Sequence, residues 1–344
     1  MGRCLIIKKH LFIGPLPPEY GGTSILFENL ISDLKCSVND DILVVNTNIN
    51  KNKFYRLLYI LFGTIKKINK VTHIHLHCST PTLKYIFPLI FCIAKIFNKK
   101  IFMRKFGGDF YNYNHKSIIF KILIHLLKKT DHVFFETLRE VDLIKSYKIK
   151  NISWYPNPRE KKDFNINIKN KFSHKIIFIG FVTKEKGVND LIDSLGLIKN
   201  DIYLDIVGKC DDSEILYKIS NSKKINYLGI KNPKYLKENL SKYDLLCLPT
   251  YYPGEGYPGV IVESFMSGVP VLSTYWNAIP EIVKHNENGL LVDIKSPSQI
   301  ALQIDKIYNN FDLFKSLSTH ALKSSSLFDS KQLFNKYLSK TKIT

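Results

Sequence analysis

Short apolar runs alternate with longer stretches of helical period along the whole chain. In the first half the runs fall at Cys4–Ile7, Ile42–Asn46, His73–His77, Ile101–Arg104, His132–Glu136 and Ile152–Tyr155. In the second half they fall at Lys175–Gly180, Ile202–Val207, Asn226–Gly229, Leu245–Leu248, Val269–Thr274 and Leu290–Asp293. Short strands separated by helices predict parallel sheets covered by helices, an α/β architecture. Six strands per half predict two doubly wound domains of similar size. The 344 residues agree with that division, because one core rarely grows beyond about 250–300 residues.

The boundary is also written in the pattern. After Trp154-Tyr155-Pro156-Asn157-Pro158, residues Arg159 to His174 are polar, charged and without apolar period. They read as a linker, dividing the chain into 1–158, 159–174 and 175–344, with the final helix free to pack back on the N-terminal domain. Open α/β sheets bind ligands beyond the carboxyl ends of their strands. Two such domains facing each other are expected to form a cleft, with the chemistry at strand ends.

Composition narrows the function. The chain carries 50 Lys+Arg against 30 Asp+Glu, a net charge of +20. Residues 1–170 hold +16 of it and 171–344 hold +4, an asymmetry that suits a polyanionic partner or an anionic membrane surface. No nucleic-acid-binding motif and no aromatic interleaving accompany it, so nucleic acid fits less well. The six cysteines form no CxxC pair, which points to reduced thiols and a cytosolic setting rather than a disulfide framework or zinc site. Lys8, Lys9 and His10 interrupt the first apolar stretch, so no signal peptide is read there. The longest apolar segment, Tyr85 to Phe97, contains Lys95 and is too short to span a bilayer.

The stretch Asp244 to Gly289 carries the chemistry. A strand (Leu245–Leu248) leads into a Gly/Pro/Tyr loop (Pro249–Gly256). Pro258 then suits the first turn of a helix running through Val260–Met266, ended by Gly268. Glu255 lies before the helix and Glu263 within it. Between them lie the unpaired amides of a helix N-terminus, which favour an anion such as phosphate. A sugar–diphosphate–ribose ligand matches this layout. The diphosphate sits over the amides and a carboxylate at each end accepts hydrogen bonds from hydroxyls. The spacing alone equally describes a loop Glu and a solvated helix Glu.

The block Glu255-Gly-Tyr-Pro-Gly-Val-Ile-Val-Glu263, with Gly268-Val-Pro-Val and Ile279-Pro-Glu281 after it, resembles the E-x7-E signature of GT-B retaining glycosyltransferases of family 4, the group 1 layout. Pro17-Pro18-Glu19-Tyr20-Gly21-Gly22-Thr23 is similar to the family's glycine-rich loop after the first strand. The segment Ile179-Gly180 through Lys186-Gly187 and the Pro156-Asn157 turn also fit. The resemblance implies a GT-B fold of two Rossmann-like domains and a set of roles. Glu255 contacts the donor sugar and Glu263 the ribose. The amides of Gly259 and Val260, with Gly256 beside them, meet the diphosphate. Lys186 is the cation that stabilises its departure. Gly21 and Gly22 let the backbone approach the donor phosphates. No metal and no cofactor beyond the nucleotide-sugar donor are expected, and no DxD motif appears.

Three positions depart from the family. Phe181 stands where an Arg is usual, and Lys184 is the candidate substitute, though a point charge rather than a planar fork. Phe106 stands where a His often precedes Gly107-Gly108-Asp109, leaving Asp109 as a candidate for binding a hydroxyl or accepting a proton. Pro258 replaces a glycine and removes one amide donor.

Other motifs in the chain compete with this one. Gly254-x-Gly256-x-x-Gly259 matches the dinucleotide fingerprint, but the next strand ends Ser273-Thr274-Tyr275 with no acid for a ribose. His73, His75 and His77 share one strand face. Either they hold a metal, or they belong to a buried strand whose last member, His77, reaches the cleft. No carboxylate or cysteine pair completes a metal set. Lys116 to Lys129 places Lys121, His125, Lys128 and Lys129 on one helical face, either the solvated edge of a core helix or a membrane-surface helix.

The resemblance implies a retaining glycosyltransferase that moves a hexosyl or related sugar from a nucleotide-diphosphate donor to a saccharide hydroxyl. The expected acceptor is an undecaprenyl-linked saccharide of bacterial surface polysaccharide or O-antigen synthesis. The expected location is the cytoplasm, peripheral on the cytoplasmic face of the inner membrane. Two other readings stay open: a nucleotide-sugar epimerase or hydrolase on the same fold, and a non-catalytic membrane-associated subunit.

Overall fold

The computed structural model describes residues 9–17, 21–50 and 52–344. The chain forms two compact units, 1–158 with 331–344, and 159–330.

The first unit is built on a six-stranded, all-parallel sheet in the order β2-β1-β3-β4-β5-β6. Its strands are β1 (Lys9–Gly14), β2 (Asp41–Asn46), β3 (His73–Cys78), β4 (Lys100–Lys105), β5 (His132–Phe135) and β6 (Ile152–Trp154). The helices are α1 (Gly22–Ser37), α2 (Lys53–Ile68), α3 (Thr80–Tyr85), α4 (Phe87–Ile96), α5 (Ile118–Lys128) and α6 (Leu138–Ser146). Polar caps start two of them. Asn52 accepts from Tyr55 N at 3.0 Å ahead of α2, and Ser117 accepts from Phe120 N at 3.2 Å ahead of α5. The expected strand at Cys4–Ile7 lies outside the described residues, and β1 begins at Lys9.

Because strand side chains alternate, the sheet has two different faces. Leu11, Ile13, Ile74, Leu76, Ile101 and Met103 pack under α2, α4, α5 and α6. Phe12 and Phe134 face the other way, against α1 and the last helix.

The second unit has the order β12-β11-β10-β7-β8-β9, again all parallel. Its strands are β7 (Lys175–Ile179), β8 (Tyr203–Val207), β9 (Ile225–Gly229), β10 (Leu245–Cys247), β11 (Val271–Thr274) and β12 (Gly289–Val292). Its helices are α7 (Val188–Leu195), α8 (Ser213–Ser220), α9 (Pro233–Asn239), α10 (Gly259–Met266), α11 (Ile279–Ile282), α12 (Pro297–Tyr308) and α13 (Phe311–Ser324). The last helix, α14 (Ser330–Thr341), carries Leu333 and Tyr337 into the core of the first unit.

Residues 159–174, read from the sequence as a linker, group with the second unit and are bonded to it. Phe164 is buried. Lys169 Nζ and Ser173 N reach Asp244 at 2.7 and 2.9 Å. The segment's apolar pattern is weak because polar contacts, not core burial, attach most of it. Among the described residues no helix is long and apolar enough to cross a membrane.

Candidate active site

The second sheet reverses its winding between β7 and β10, which are neighbours although about 70 positions apart in sequence. At such a switch point the loops leaving both carboxyl ends emerge side by side. They are bonded together here: Tyr251 N donates to Glu185 O at 2.7 Å and Thr250 Oγ1 to the same carbonyl at 3.2 Å. Gly187 makes the approach possible. Its φ is +75°, and a Cβ there would lie 2.0 Å from Pro249 O, so only glycine fits.

This contact brings Lys186 to Glu255, Nζ to Oε2 at 2.6 Å. Thr250 Oγ1 lies 3.0 Å from the same oxygen, so its single proton is shared between Glu255 and the Glu185 carbonyl. The ammonium also lies 5.0 Å from the centre of the Tyr252 ring. Glu255 is 7% exposed, so the pair is held in a largely desolvated place.

Helix α10 follows at once. Pro258 sits at its cap, with φ −56° and ψ 122°, rather than in the first turn as expected. Helix geometry leaves the amides of Gly259 and Val260 pointing out of the N-terminus. Ile261, Val262, Phe265 and Met266 anchor the helix in the core, which fixes the direction of its dipole.

Glu263 stands on the outward side of α10, where Arg159 Nε donates to its Oε1 at 2.9 Å. The guanidinium also lies over the helix start, since a Cβ on Gly259 would meet an Arg159 nitrogen at 2.3 Å. Two backbone bonds hold Arg159: its N donates to Phe328 O at 2.9 Å and its O accepts from Ser330 N at 3.0 Å. Sequence reasoning missed this residue, having placed it in the linker. Tyr257, buried beside the site, donates to Glu281.

Of the remaining predicted residues, Lys184 belongs to the second unit and Gly21, Gly22 and Asp109 to the first. Lys184 points to Glu214 at 3.2 Å with both side chains more than half exposed, apart from the Lys186–Glu255 pair. Phe181 is exposed. Gly21 caps α1 and Gly22 opens it, and a Cβ on either would meet nothing within 4 Å. Residues 18–20 of that loop lie outside the described residues.

Asp109 belongs to a second polar cluster, at the carboxyl ends of β3, β4 and β5 in the first unit. Its Oδ1 accepts from Thr80 Oγ1 at 2.5 Å and from Lys105 Nζ at 2.7 Å. Lys105 also donates to Glu140 Oε1 at 2.9 Å and to Gly107 O at 2.8 Å. Glu136 accepts from Gly107 N at 2.9 Å. Burial pushes the Glu140 carboxyl up to about 7 against the pull of Lys105. Asp109 is the cluster's partly exposed carboxylate, at 37%.

The histidines prove to be internal. His10 bridges Asp40 and His75 at 3.2 and 3.0 Å. The Tyr337 hydroxyl bridges His75 and His77 at 3.0 and 3.3 Å. His77 is 1% exposed, beneath Phe27 and Tyr337, and does not reach outward as expected. Among the described residues no group of three or more His, Cys, Asp or Glu side chains is placed to hold a metal ion.

Two ion pairs, Lys186–Glu255 and Arg159–Glu263, beside a helix N-terminus can bind an anionic group and hydroxyls next to it. Residues 158–323 match the family model described as Glycosyl transferases group 1. Among curated proteins, an uncharacterized glycosyltransferase of Methanocaldococcus jannaschii is 29% identical over 180 residues, 50% of this chain and 45% of that one. A Campylobacter jejuni α-1,4-N-acetyl-D-galactosaminyltransferase, whose name specifies a diphosphate-undecaprenol-linked saccharide, is 29% identical over 128 residues, 36% of this chain and 34% of that one. The chain thus aligns with less than half the length of each of these relatives. Anabaena HepE in complex with UDP superposes with a TM-score of 0.75 at 15% identity, covering 96% of this chain and 98% of that one. Two parallel six-stranded sheets wrapped by helices are the architecture of GT-B glycosyltransferases, and this chain shares it.

Proposed function

We propose that this protein is a retaining glycosyltransferase of family 4 that transfers a hexosyl or related sugar from a nucleoside-diphosphate donor to a saccharide hydroxyl. The observation that carries the reading is the α10 start with two ion pairs beside it, Lys186–Glu255 and Arg159–Glu263. The group 1 match over residues 158–323 and the UDP held by a structural neighbour support the choice of donor.

In this reading the diphosphate lies over the amides of Gly256, Gly259 and Val260. Glu255 takes sugar hydroxyls and Glu263 takes ribose hydroxyls. Lys186 and Arg159 carry the charge that develops as the bond from C1 to the phosphate oxygen breaks. The acceptor oxygen bonds to C1 on the same face, and its proton passes to the departing phosphate oxygen. The reaction then needs neither a metal nor a side-chain base. Gly21, Gly22 and Lys184 are assigned supporting contacts to the donor. Asp109, steadied by Lys105 and Thr80, is assigned to an acceptor hydroxyl.

The acceptor is a lipid-linked saccharide, undecaprenyl-linked and part of bacterial surface polysaccharide or O-antigen synthesis, met at the cytoplasmic face of the inner membrane. The name of the Campylobacter relative and the basic N-terminal half support this. Titration with UDP-, GDP- and ADP-sugars by calorimetry, followed by assay with a lipid-linked acceptor, tests the reading. One donor should bind, and transfer should depend on Lys186 and Glu255. Release of free sugar or an epimer without acceptor would favour a hydrolase or epimerase, and no donor binding would favour a non-catalytic subunit.

A further inference from the structure

A helix lying on the surface of a domain normally turns an apolar stripe inward and a polar face outward. Helix α2 does not. Ile60, Thr64 and Ile68 face the sheet and are buried. The opposite face shows Phe54, Tyr55, Leu58, Tyr59, Phe62 and Ile65, all exposed, with Phe62 at 70%. At 100° per residue these six fall within one outward sector.

The feature continues across neighbouring elements. Helix α4 packs between α2 and α5 on the same side of the sheet. It exposes Leu89 and Ile96, and α5 exposes Ile118 and Ile122. A solvent-exposed apolar surface of this extent marks a place where something binds.

Charge identifies what. Between Ile42 and Thr130 there are 16 Lys+Arg and a single acid, Asp109. Taken by structural unit, 1–158 with 331–344 carries +18 of the chain's +20. Lys53, Lys66 and Lys70 are exposed on and beside α2, and Lys121, Lys128 and Lys129 on and beside α5. A second copy of this face would meet it with like charge and no acid to pair. An anionic lipid surface satisfies both properties: aromatic and aliphatic side chains enter the headgroup boundary while lysines on flexible stems reach phosphates.

We propose that the outward face of α2, α4 and α5 is the surface by which this protein lies on an anionic membrane. The proposal rests on the reading of a lipid-linked acceptor for its purpose, though not for its evidence. The test is flotation with vesicles rich in phosphatidylglycerol and with vesicles of phosphatidylcholine alone, for the wild type, Phe62→Glu, Ile122→Glu and a Lys66→Gln/Lys70→Gln double variant. The wild type should bind anionic vesicles at least about tenfold more tightly than neutral ones. Each glutamate variant should lose about tenfold on the anionic vesicles, and each lysine removed about fivefold.

Equal binding to both vesicle types, or none, overturns the proposal whatever the variants do. So does wild-type binding by folded glutamate variants, or a change in their oligomeric state alone, which would make the face a protein interface. The wild-type comparison needs no variant to fold. Calorimetric donor titration of the same proteins separates the two readings, since donor binding should be unchanged in every variant. Absence of donor binding by the wild type, with its preference for anionic vesicles intact, would count against the glycosyltransferase reading and leave this one standing.

Discussion

Arg159 Nε stands 2.9 Å from Glu263 Oε1, across 104 positions of sequence. The guanidinium is planar and permanently charged, and it lies over the first residue of α10. It can therefore orient Glu263 and face an anion at the helix start at once. Arg159→Ala should weaken donor binding by about tenfold or more, and Arg159→Lys should not restore it. Calorimetry on both variants checks this. A double-mutant cycle with Glu263→Gln should give a non-zero coupling energy.

The Lys186–Glu255 pair gives a different expectation. If Lys186 stabilises the departing diphosphate, its contribution grows towards the transition state. Lys186→Ala should then cut kcat by about 100-fold to 1000-fold, more than it weakens donor binding. Glu255→Gln keeps the shape but removes a charged acceptor, and should also lower turnover. Steady-state kinetics with circular dichroism as a folding control decides. Full activity in both variants would remove the site assignment.

Gly187 links the fold to this chemistry. Alanine there would have to adopt a left-handed backbone and place its Cβ against Pro249 O. Gly187→Ala should cost about 2 kcal/mol or more and lower Tm by several degrees. Because the same contact seats Lys186 beside Glu255, the protein that does fold should also bind donor poorly. Thermal melts and calorimetry on one sample test both halves.

The buried histidines predict a pH dependence. Burial holds His75 well below its ordinary value, and the charges of His10, His77 and His73 would lower it further. Burial, helped by Arg104, does the same for His77. Unfolded histidine takes up a proton as pH falls through about 6.5, whereas the folded rings do not. Stability is therefore retained above that pH and lost below it, by about 1.4 kcal/mol per pH unit for each histidine. Tyr337→Phe removes the hydroxyl shared by both rings and should cost about 1–2 kcal/mol at neutral pH. Urea unfolding as a function of pH measures both effects.

Much of this was legible in the sequence, for physical reasons. Parallel strands inside a sheet are buried on both faces, so β7, β8 and β10 to β12 appeared as apolar runs, and the edge strand β9 as a short one, with ends correct to within about two residues. The α10 helix could be placed because Pro258 and Gly268 punctuate it, and Gly268 does take a left-handed φ of +72°. Glu255 and Glu263 were singled out by the resemblance of the contiguous block they bound, since their spacing alone described a loop Glu and a solvated helix Glu equally well. Arg159 was not, because its partner is distant and its own segment has no apolar rhythm. The meeting of Lys186 with Glu255 depends on which strands are neighbours, which periodicity does not specify. The histidine alternation on β3 was visible, but Asp40 and Tyr337, which complete the network, come from elsewhere in the chain.

The placement of α14 has a consequence for how the molecule is made. Tyr337 and Leu333 close the face of the first sheet that carries Phe12 and Phe134, and Thr344 N donates to Asp40 at 3.0 Å. During synthesis the N-terminal sheet must wait, with that face incomplete, until the whole intervening unit has left the ribosome. A fragment ending at Pro158 should therefore expose the histidine-rich face and aggregate, and supplying residues 331–344 as a separate peptide should rescue its solubility.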